Sequence, residues 1–384
     1  AGAPGYEIAA VKALMTLLGN WRRPRGDIRH DGIVASSAVP DGNGFRAWDS
    51  WKHAAALARF FPELATAQVR SMFDHQDPGG MVPGRIDADA VANHSVSSNP
   101  PLAAWATWEV YRQTRDRSFL HEMQPLLQRY HDWWGRARDR DQDGLCEYGA
   151  AAGVIEAAKR ESGMDDAVRF DEVSMRTLDD RAWTLDLESV DLNAYLYAEK
   201  RYLAEISKEL LREDPAIGLG AGRLQAGTRA WLFDRQSSYF RDAPADGRGR
   251  LAPQGPEGWI PLWAGVASPE QAAAVRRVLL DPRKFATYLP FPTLAADHPA
   301  FEPARSWRGA VRLDQGYFAV QGLRRYGFNE DARRLTRQLL DRAKGLTEAG
   351  VPVRETYHAL TGEGQGARDF SPSAAHVLLL LWGQ

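Results

Sequence analysis

Apolar residues recur along this chain at i, i+3, i+4 spacing, the period of one face of an α-helix. The stretches YEIAAVKALMTLLGNW, WKHAAALARFF, LATAQVRSMFDHQ, LAAWATWEVYRQT and FLHEMQPLLQRYHDWWGRARD carry it in the first part of the chain. VDLNAYLYAEKRYLAEISKELL, GRLQAGTRAWLF, PEQAAAVRRVLL, GYFAVQGLRRYGF, EDARRLTRQLLDRAKGL and PSAAHVLLLLW carry it in the rest. These roughly eleven segments alternate with Gly- and Pro-rich loops, which punctuate rather than continue a helix. Strand signals are few and short. No low-complexity linker and no fixed-period repeat divides the chain, so the pattern predicts one all-α domain over residues 1–384. Paired helices with a charged, Trp-bearing loop between pairs fit a closed double ring of hairpins. An open bundle or solenoid would show the same periodicity.

Composition narrows the function classes. Hydrophobic residues make up 44% and charged residues 26% of 384 residues, ample material for a core. A formal net charge of −2 gives no electrostatic reason to expect nucleic acid or an anionic membrane as partner. The longest apolar run, AAHVLLLLW, is too short to span a bilayer. A single cysteine, Cys146, allows no intrachain disulfide. The opening AGAPGYE has the small residues that surround leader cleavage sites, so a periplasmic or otherwise exported location is expected over a cytoplasmic one. The 13 tryptophans are unusual because many lie beside charged residues, as in AWDSWKH, DWWGR, EGWIP and SWRGA. Sugar rings present C–H faces to indoles and hydroxyls to charged groups, so this mixture suits a carbohydrate pocket. Trp105 and Trp108, in an apolar helix, read as core.

Four segments could carry chemistry. ESGMDDAVRF (161–170) sets Asp165 beside Asp166 after a Ser162-Gly163 turn. A solvated helix start would account for the pair, and a catalytic acid over a pocket is the sharper reading. In RDRDQDGLCEYG, Asp139, Asp141 and Asp143 alternate before Gly144, as in the front half of a calcium loop. Leu145 would offer a backbone carbonyl, but the glutamate expected at the twelfth position is Ala150, so another carboxylate must complete the shell. In the segment from 353 to 376, Glu355 and Tyr357 precede a glycine-bearing loop and a helix opening at Ser371-Pro372. That makes Glu355 a candidate base, although exposed loop glutamates are common. In SWRGAVRLDQGYF, Arg308, Arg312 and Asp314 beside Trp307 could clamp hydroxyls or a carboxylate, or simply pair at the surface.

Together these segments resemble glycoside hydrolase family 63, and within it the bacterial α-glucosidases. The likeness is carried by NWRRPRGDIRHDG, AWDSWKHAAALARFFPELA, YHDWWGRARDRDQDGLCEYGA, ESGMDDAVRF, LESVDLNAYLYAEKRYLAEI, GPEGWIPLWAGVAS, WRGAVRLDQGYFAVQGLRRYGF, GVPVRETYHALTG and DFSPSAAH, in order along nearly the whole chain. The resemblance implies an (α/α)6 barrel with the active site in the loops at one end. It implies that Asp165, the aspartate of S-G-x-D, is the general acid and Glu355, the glutamate of E-x-Y, the general base. It also implies a structural Ca2+ held by Asp139, Asp141, Asp143, Leu145 and Glu188, the last from E-S-V-D, with no organic cofactor. Gly163, Trp48, Asp49, Lys52, Trp259, Trp307, Arg308, Asp314 and Tyr357 fall in motifs that surround the bound sugar.

The implied activity is inverting hydrolysis of a non-reducing-end α-glucosidic bond in a glucoside or oligosaccharide. An inverting pair of carboxyl groups stands roughly 6.5–9.5 Å apart to admit a water. Against the bacterial α-glucosidases, the lid-like insertion is reduced to AAAGVIEAAKR and a different loop, VANHSVSSNPP, precedes the helix of Trp105. Both departures concern the leaving-group side. The alternatives are a hydrolase of a sugar-acid conjugate such as glucosyl- or mannosylglycerate, with Arg308 or Arg312 on the acid, and a trehalase-like enzyme. A non-catalytic carbohydrate-binding protein would be expected to have lost Asp165 or Glu355, and both are present.

Overall fold

The computed structural model describes residues 4–39, 44–89, 93, 96–179, 182–212, 215–247 and 252–383. Thirteen α-helices lie among them: α1 (Glu7–Gly19), α2 (Ala47–Leu57), α3 (Pro62–Phe73), α4 (Ala103–Thr114), α5 (Arg117–Arg138), α6 (Ile155–Glu161), α7 (Val190–Glu209), α8 (Pro215–Trp231), α9 (Ile260–Ala264), α10 (Pro269–Leu279), α11 (Leu313–Arg325), α12 (Asn329–Arg342) and α13 (Ser371–Trp382). Periodicity predicts eleven of these. The two it misses, α6 and α9, span 7 and 5 residues, too few to display a period.

The ring is closed. Helices α2, α4, α7, α9, α11 and α13 pack each against the next, and α13 returns to α2. Outside them α1 lies on α13, α3 on α2, α5 on α4 and α7, α8 on α7, and α12 on α11. Polar contacts stitch the outer layer together. Arg70 of α3 meets Glu122 of α5 at 2.6 Å, Gln271 of α10 donates to the Arg229 carbonyl of α8, and Arg276 of α10 pairs with Asp331 of α12. This is an (α/α)6 barrel. Among the described residues no helix is long and apolar enough to cross a membrane.

Position in the ring explains the composition of each helix. Outer helices bury one face, and α12 keeps only Ala332, Leu335, Thr336, Leu339 and Leu340 inside. Inner helices are enclosed on all sides, so α2 buries Lys52 and His53 together with its alanines. The middle of the ring is filled by aromatic rings: Trp105, Tyr195, Trp263 and Phe318 meet one another at centroid distances of 5.0–6.1 Å. Because an outer helix runs back between successive inner ones, the inner helices share a direction. Their N-termini and the loops leading into them therefore gather at one end.

Candidate active site

Residues far apart in sequence meet at that end. Trp48 and Asp49 open α2, Asp165 lies in the loop before α7, and Trp259 immediately precedes α9. Trp307 through Asp314 lead into α11, and Glu355 stands on the strand before α13. At the centre Trp48 stacks on Trp307, with ring centroids 6.1 Å apart. Lys52 Nζ lies 3.3 Å from the Trp48 ring centroid and 2.6 Å from Asp314 Oδ2, both side chains being buried. Arg312 covers the other indole, 4.5 Å from the Trp307 centroid, with its Nε 3.7 Å from Asp314 Oδ1.

These charges are opposite in sign and stabilise one another. Burial pushes the Asp314 carboxyl up, but Lys52, Arg312 and His376 outweigh it and hold the group below the usual carboxylate range. Burial lowers Lys52, and Asp314 and Asp49 oppose that shift. Asp49 is half-buried and raised by desolvation against the pull of Lys52, Arg46 and Arg312. Burial brings His376 down to about 4, and its Nδ1–H donates to the Pro372 carbonyl at 2.7 Å, so it is a neutral partner near pH 7.

Glu355 and Asp165 approach this centre on different loops. The strand Arg354–Tyr357 pairs antiparallel with Gly364–Arg368, and the register shifts between Arg354 and Thr356. Glu355 thus sits on a bulge, the device by which a strand re-aims one side chain. Its carboxylate accepts from Arg312 Nη1 at 3.3 Å and from the Ala367 N–H at 3.1 Å. A Cβ at Gly366 would come within 2.7 Å of Glu355 Oε2, so only glycine leaves that carboxylate its place. On the other side Gly163 (φ +71°) lies against Trp48, and a Cβ there would stand 2.3 Å from the ring. Two residues on, Asp165 is exposed and has no hydrogen-bond or ion-pair partner among the described residues. Its neighbour Asp166 is fully engaged, taking a bidentate pair from Arg305 at 2.9 Å and lying 3.6 Å from Arg308 Nε.

Three of the sequence-predicted sugar contacts are turned to other partners. Arg308 pairs with Asp171 and Asp166 and so ties the Asp165 loop to the loop before α11. Trp259 is wholly buried against Phe285 and Phe291, so it offers no stacking face, although its indole N–H is buried without a partner among the described residues. Tyr357 is also buried; its hydroxyl accepts the Arg354 N–H at 3.2 Å, and its backbone pairs with Val311. Sequence reasoning did not assign a role to Arg305, whose neighbours PARSWRG give no signal.

A second cluster lies in the loop after α5 and just before α7. The carboxylates of Asp139, Asp141 and Asp143 lie within 4.8 Å of one another, and so do those of Asp141, Glu147 and Glu188. Glu147 and Glu188 are buried, and none of their four carboxylate oxygens has a hydrogen-bond partner among the described residues. Burial, with Asp141 second, raises Glu147 to about 8; burial, with Glu147 second, raises Glu188 to about 10. Buried carboxylates facing each other with free oxygens suit a hard divalent cation. Asn193 of α7 fixes the loop, accepting from the Cys146 N–H at 2.9 Å and donating to its carbonyl at 3.0 Å. Glu147 was missed in the sequence. Extending the alternation 139, 141, 143, 145 by one step finds it.

A closed (α/α)6 ring with two carboxylates on separate loops around paired indoles defines a class, the glycoside hydrolases. The chain belongs to the mannosylglycerate hydrolase MGH1-like glycoside hydrolase family, whose domain matches residues 44–373, within glycoside hydrolase family 63. It is 28% identical over 403 residues to a mannosylglycerate hydrolase of Thermus thermophilus, covering 87% of this chain and 93% of that one. It is 27% identical to mannosylglycerate hydrolase MGH1 of Selaginella moellendorffii, covering 87% and 79%. A glucosylglycerate hydrolase of Mycolicibacterium hassiacum is 24% identical, covering 86% and 90%. The crystal structure of a family 63 mannosylglycerate hydrolase from Thermus thermophilus, with Tris and D-glycerate bound, superposes with a TM-score of 0.80 at 23% identity, covering 98% and 100%.

Proposed function

We propose that this glycoside hydrolase cleaves the bond between a hexose and glycerate, with inversion at the sugar carbon. The sugar-acid reading replaces the α-glucosidase as the preferred one, because the relatives that share most of the chain act on mannosylglycerate or glucosylglycerate. The observation that carries the mechanism is the contrast between adjacent aspartates. Asp166 is consumed by Arg305 and Arg308, whereas Asp165 stands exposed and has no partner among the described residues. Asp165 then donates a proton to the departing glycerate oxygen. Glu355, oriented by Arg312 and the Ala367 N–H, takes a proton from water attacking the opposite ring face. The indoles of Trp48 and Trp307 with Lys52, Asp49 and Asp314 hold the hexose. Arg305 and Arg308 are already paired with Asp166 and Asp171, so a glycerate carboxylate would bind beside Asp165 only by exchanging with one of these carboxylates.

Such an all-oxygen donor set suits a hard divalent cation, and calcium would be held by Asp139, Asp141, Asp143, Glu147 and Glu188 with the Leu145 carbonyl. Its role would be structural, fixing the loop after α5 against the start of α7.

The test is direct. Mannosylglycerate, glucosylglycerate, trehalose and α-linked glucose disaccharides are supplied separately, and proton NMR follows the first-formed anomer. Release of a β-hexose from a glycerate conjugate is expected. Asp165→Asn and Glu355→Gln should each lose about 10²–10⁴-fold in rate while remaining folded. Activity confined to the disaccharides, or an α-hexose as first product, overturns the proposal.

A further inference from the structure

An exposed carboxylate with no partner cannot hold its own position. The placement of Asp165 must come from the loop that carries it, and that loop is fastened at both ends by ionic groups withdrawn from water. At the start, Glu161 is fully buried and accepts four hydrogen bonds. Arg138 gives two, Nε to Oε2 at 2.7 Å and Nη2 to Oε1 at 2.8 Å. The Ser98 and Gly149 N–H groups give the others at 2.8 and 2.7 Å. At the end, buried Arg169 forms a bidentate pair with Asp191 at 3.0 Å through both oxygens and a third bond to Asp242 at 3.0 Å. Asp242 in turn accepts the Val190 N–H at the start of α7 at 2.8 Å. Burial opposes the Arg169 charge, but Asp191, Asp242 and Glu257 outweigh it, so the guanidinium stays protonated. Between the clamps Gly163 rests on Trp48, and Met164 is buried.

We propose that Glu161 and Arg169 are positioning residues for proton donation, holding the Asp165 loop to α5 and α7 from its two ends. This rests on Asp165 being the general acid. Neither residue touches the reacting atoms. Each acts through the chain between them, so a small change at either end displaces Asp165 and leaves the sugar-holding centre at Trp48, Lys52 and Asp314 intact. The Arg138 side of the clamp directly precedes Asp139, so the acidic loop and the acid loop share one anchor.

The leaving group separates positioning from general scaffolding. A glycerate leaving group needs a proton as the C1–O bond breaks. In the α-fluoride of the same hexose the C1–F bond breaks to give fluoride without one, while water still forms the new C1–O bond and gives its proton to Glu355. Arg169→Lys keeps the charge and loses the fork; Glu161→Gln keeps the shape and loses the charge. Both should lower kcat on the hexosylglycerate by about 10²-fold or more and change kcat on the fluoride less than about tenfold, with KM for the fluoride unchanged. Arg138→Lys, which leaves Glu161 a cation, takes the place of either variant that does not fold. Equal losses on both substrates, or none on the glycerate, overturn the proposal. Asp165→Asn run in parallel must show the same selectivity. If it does not, the acid assignment itself fails, whereas selectivity in Asp165→Asn alone rejects only the positioning role.

Discussion

Two buried glutamates whose four carboxylate oxygens have no partner among the described residues are a destabilising arrangement unless a cation joins them. Without a cation, burial and repulsion from neighbouring carboxylates hold them protonated, Glu147 up to about 8 and Glu188 up to about 10, and a divalent ion lets both ionise at neutral pH. Adding calcium should therefore raise the melting temperature, and chelation should lower it. Glu147→Gln and Glu188→Gln should weaken calcium binding at least tenfold, on the scale of about 1.4 kcal/mol per decade. Calorimetric titration with calcium tests this, and wild-type affinity in Glu147→Gln would remove that residue from the site. The front of this loop was readable because alternate acids before a glycine have one common use. Glu147 was not, since a search for a glutamate at the twelfth position passes over one that ends a shorter alternation.

The acid loop shows how a single backbone angle fixes an element. Gly163 holds φ at +71°, a region other residues rarely adopt, and its missing side chain lets the Trp48 ring close on the chain. Gly163→Ala meets strain and a contact of 2.3 Å together, and neither the ring, stacked on Trp307, nor the loop, clamped at both ends, can give freely. The variant should lose about 10²-fold or more in kcat with a lowered melting temperature; activity within threefold of wild type, roughly the noise of such kinetics, would show that the loop can relax. Elements this small are where periodicity stops helping. Helices α6 and α9 are too short to repeat, and the bulge that aims Glu355 is a register shift across a hairpin rather than a residue pattern. Asp49 and Lys52 at the start of α2 were legible as chemistry because AWDSWKH sets them among tryptophans, the mixture that suits a sugar pocket, and because the family resemblance covers that motif.

At the scale of the whole ring, closure is the property that helical periodicity cannot supply, because the same faces would serve an open stack. It resides in contacts between distant segments, such as α13 against α2, and in polar groups trapped where inner helices meet. Glu199 of α7 is one of these. Its Oε1 accepts the Ala104 N–H at 2.8 Å at the start of α4, while Oε2 is buried without a hydrogen-bond partner among the described residues. Burial raises this carboxyl to about 8 against the opposing backbone hydrogen bonds of Ala104 and Trp105. The folded value lies above the unfolded one, so the contribution to stability is complete below the ordinary glutamate range and declines as pH rises, levelling off above about 8. Glu257, also near 8, and Asp242, near 6, pull in the same direction. The pH profile of the wild type therefore cannot be assigned to one residue, but a difference can. Glu199→Gln keeps an acceptor for Ala104 and has no proton to lose. With calcium held saturating, its melting temperature relative to wild type should rise steadily from pH 5 to about pH 8 and then stay flat. The stability difference should grow by at most about 1.4 kcal/mol per pH unit. A gap that stays constant across that range would mean Glu199 is ionised in the fold, and that the seam between α4 and α7 is built around a charge.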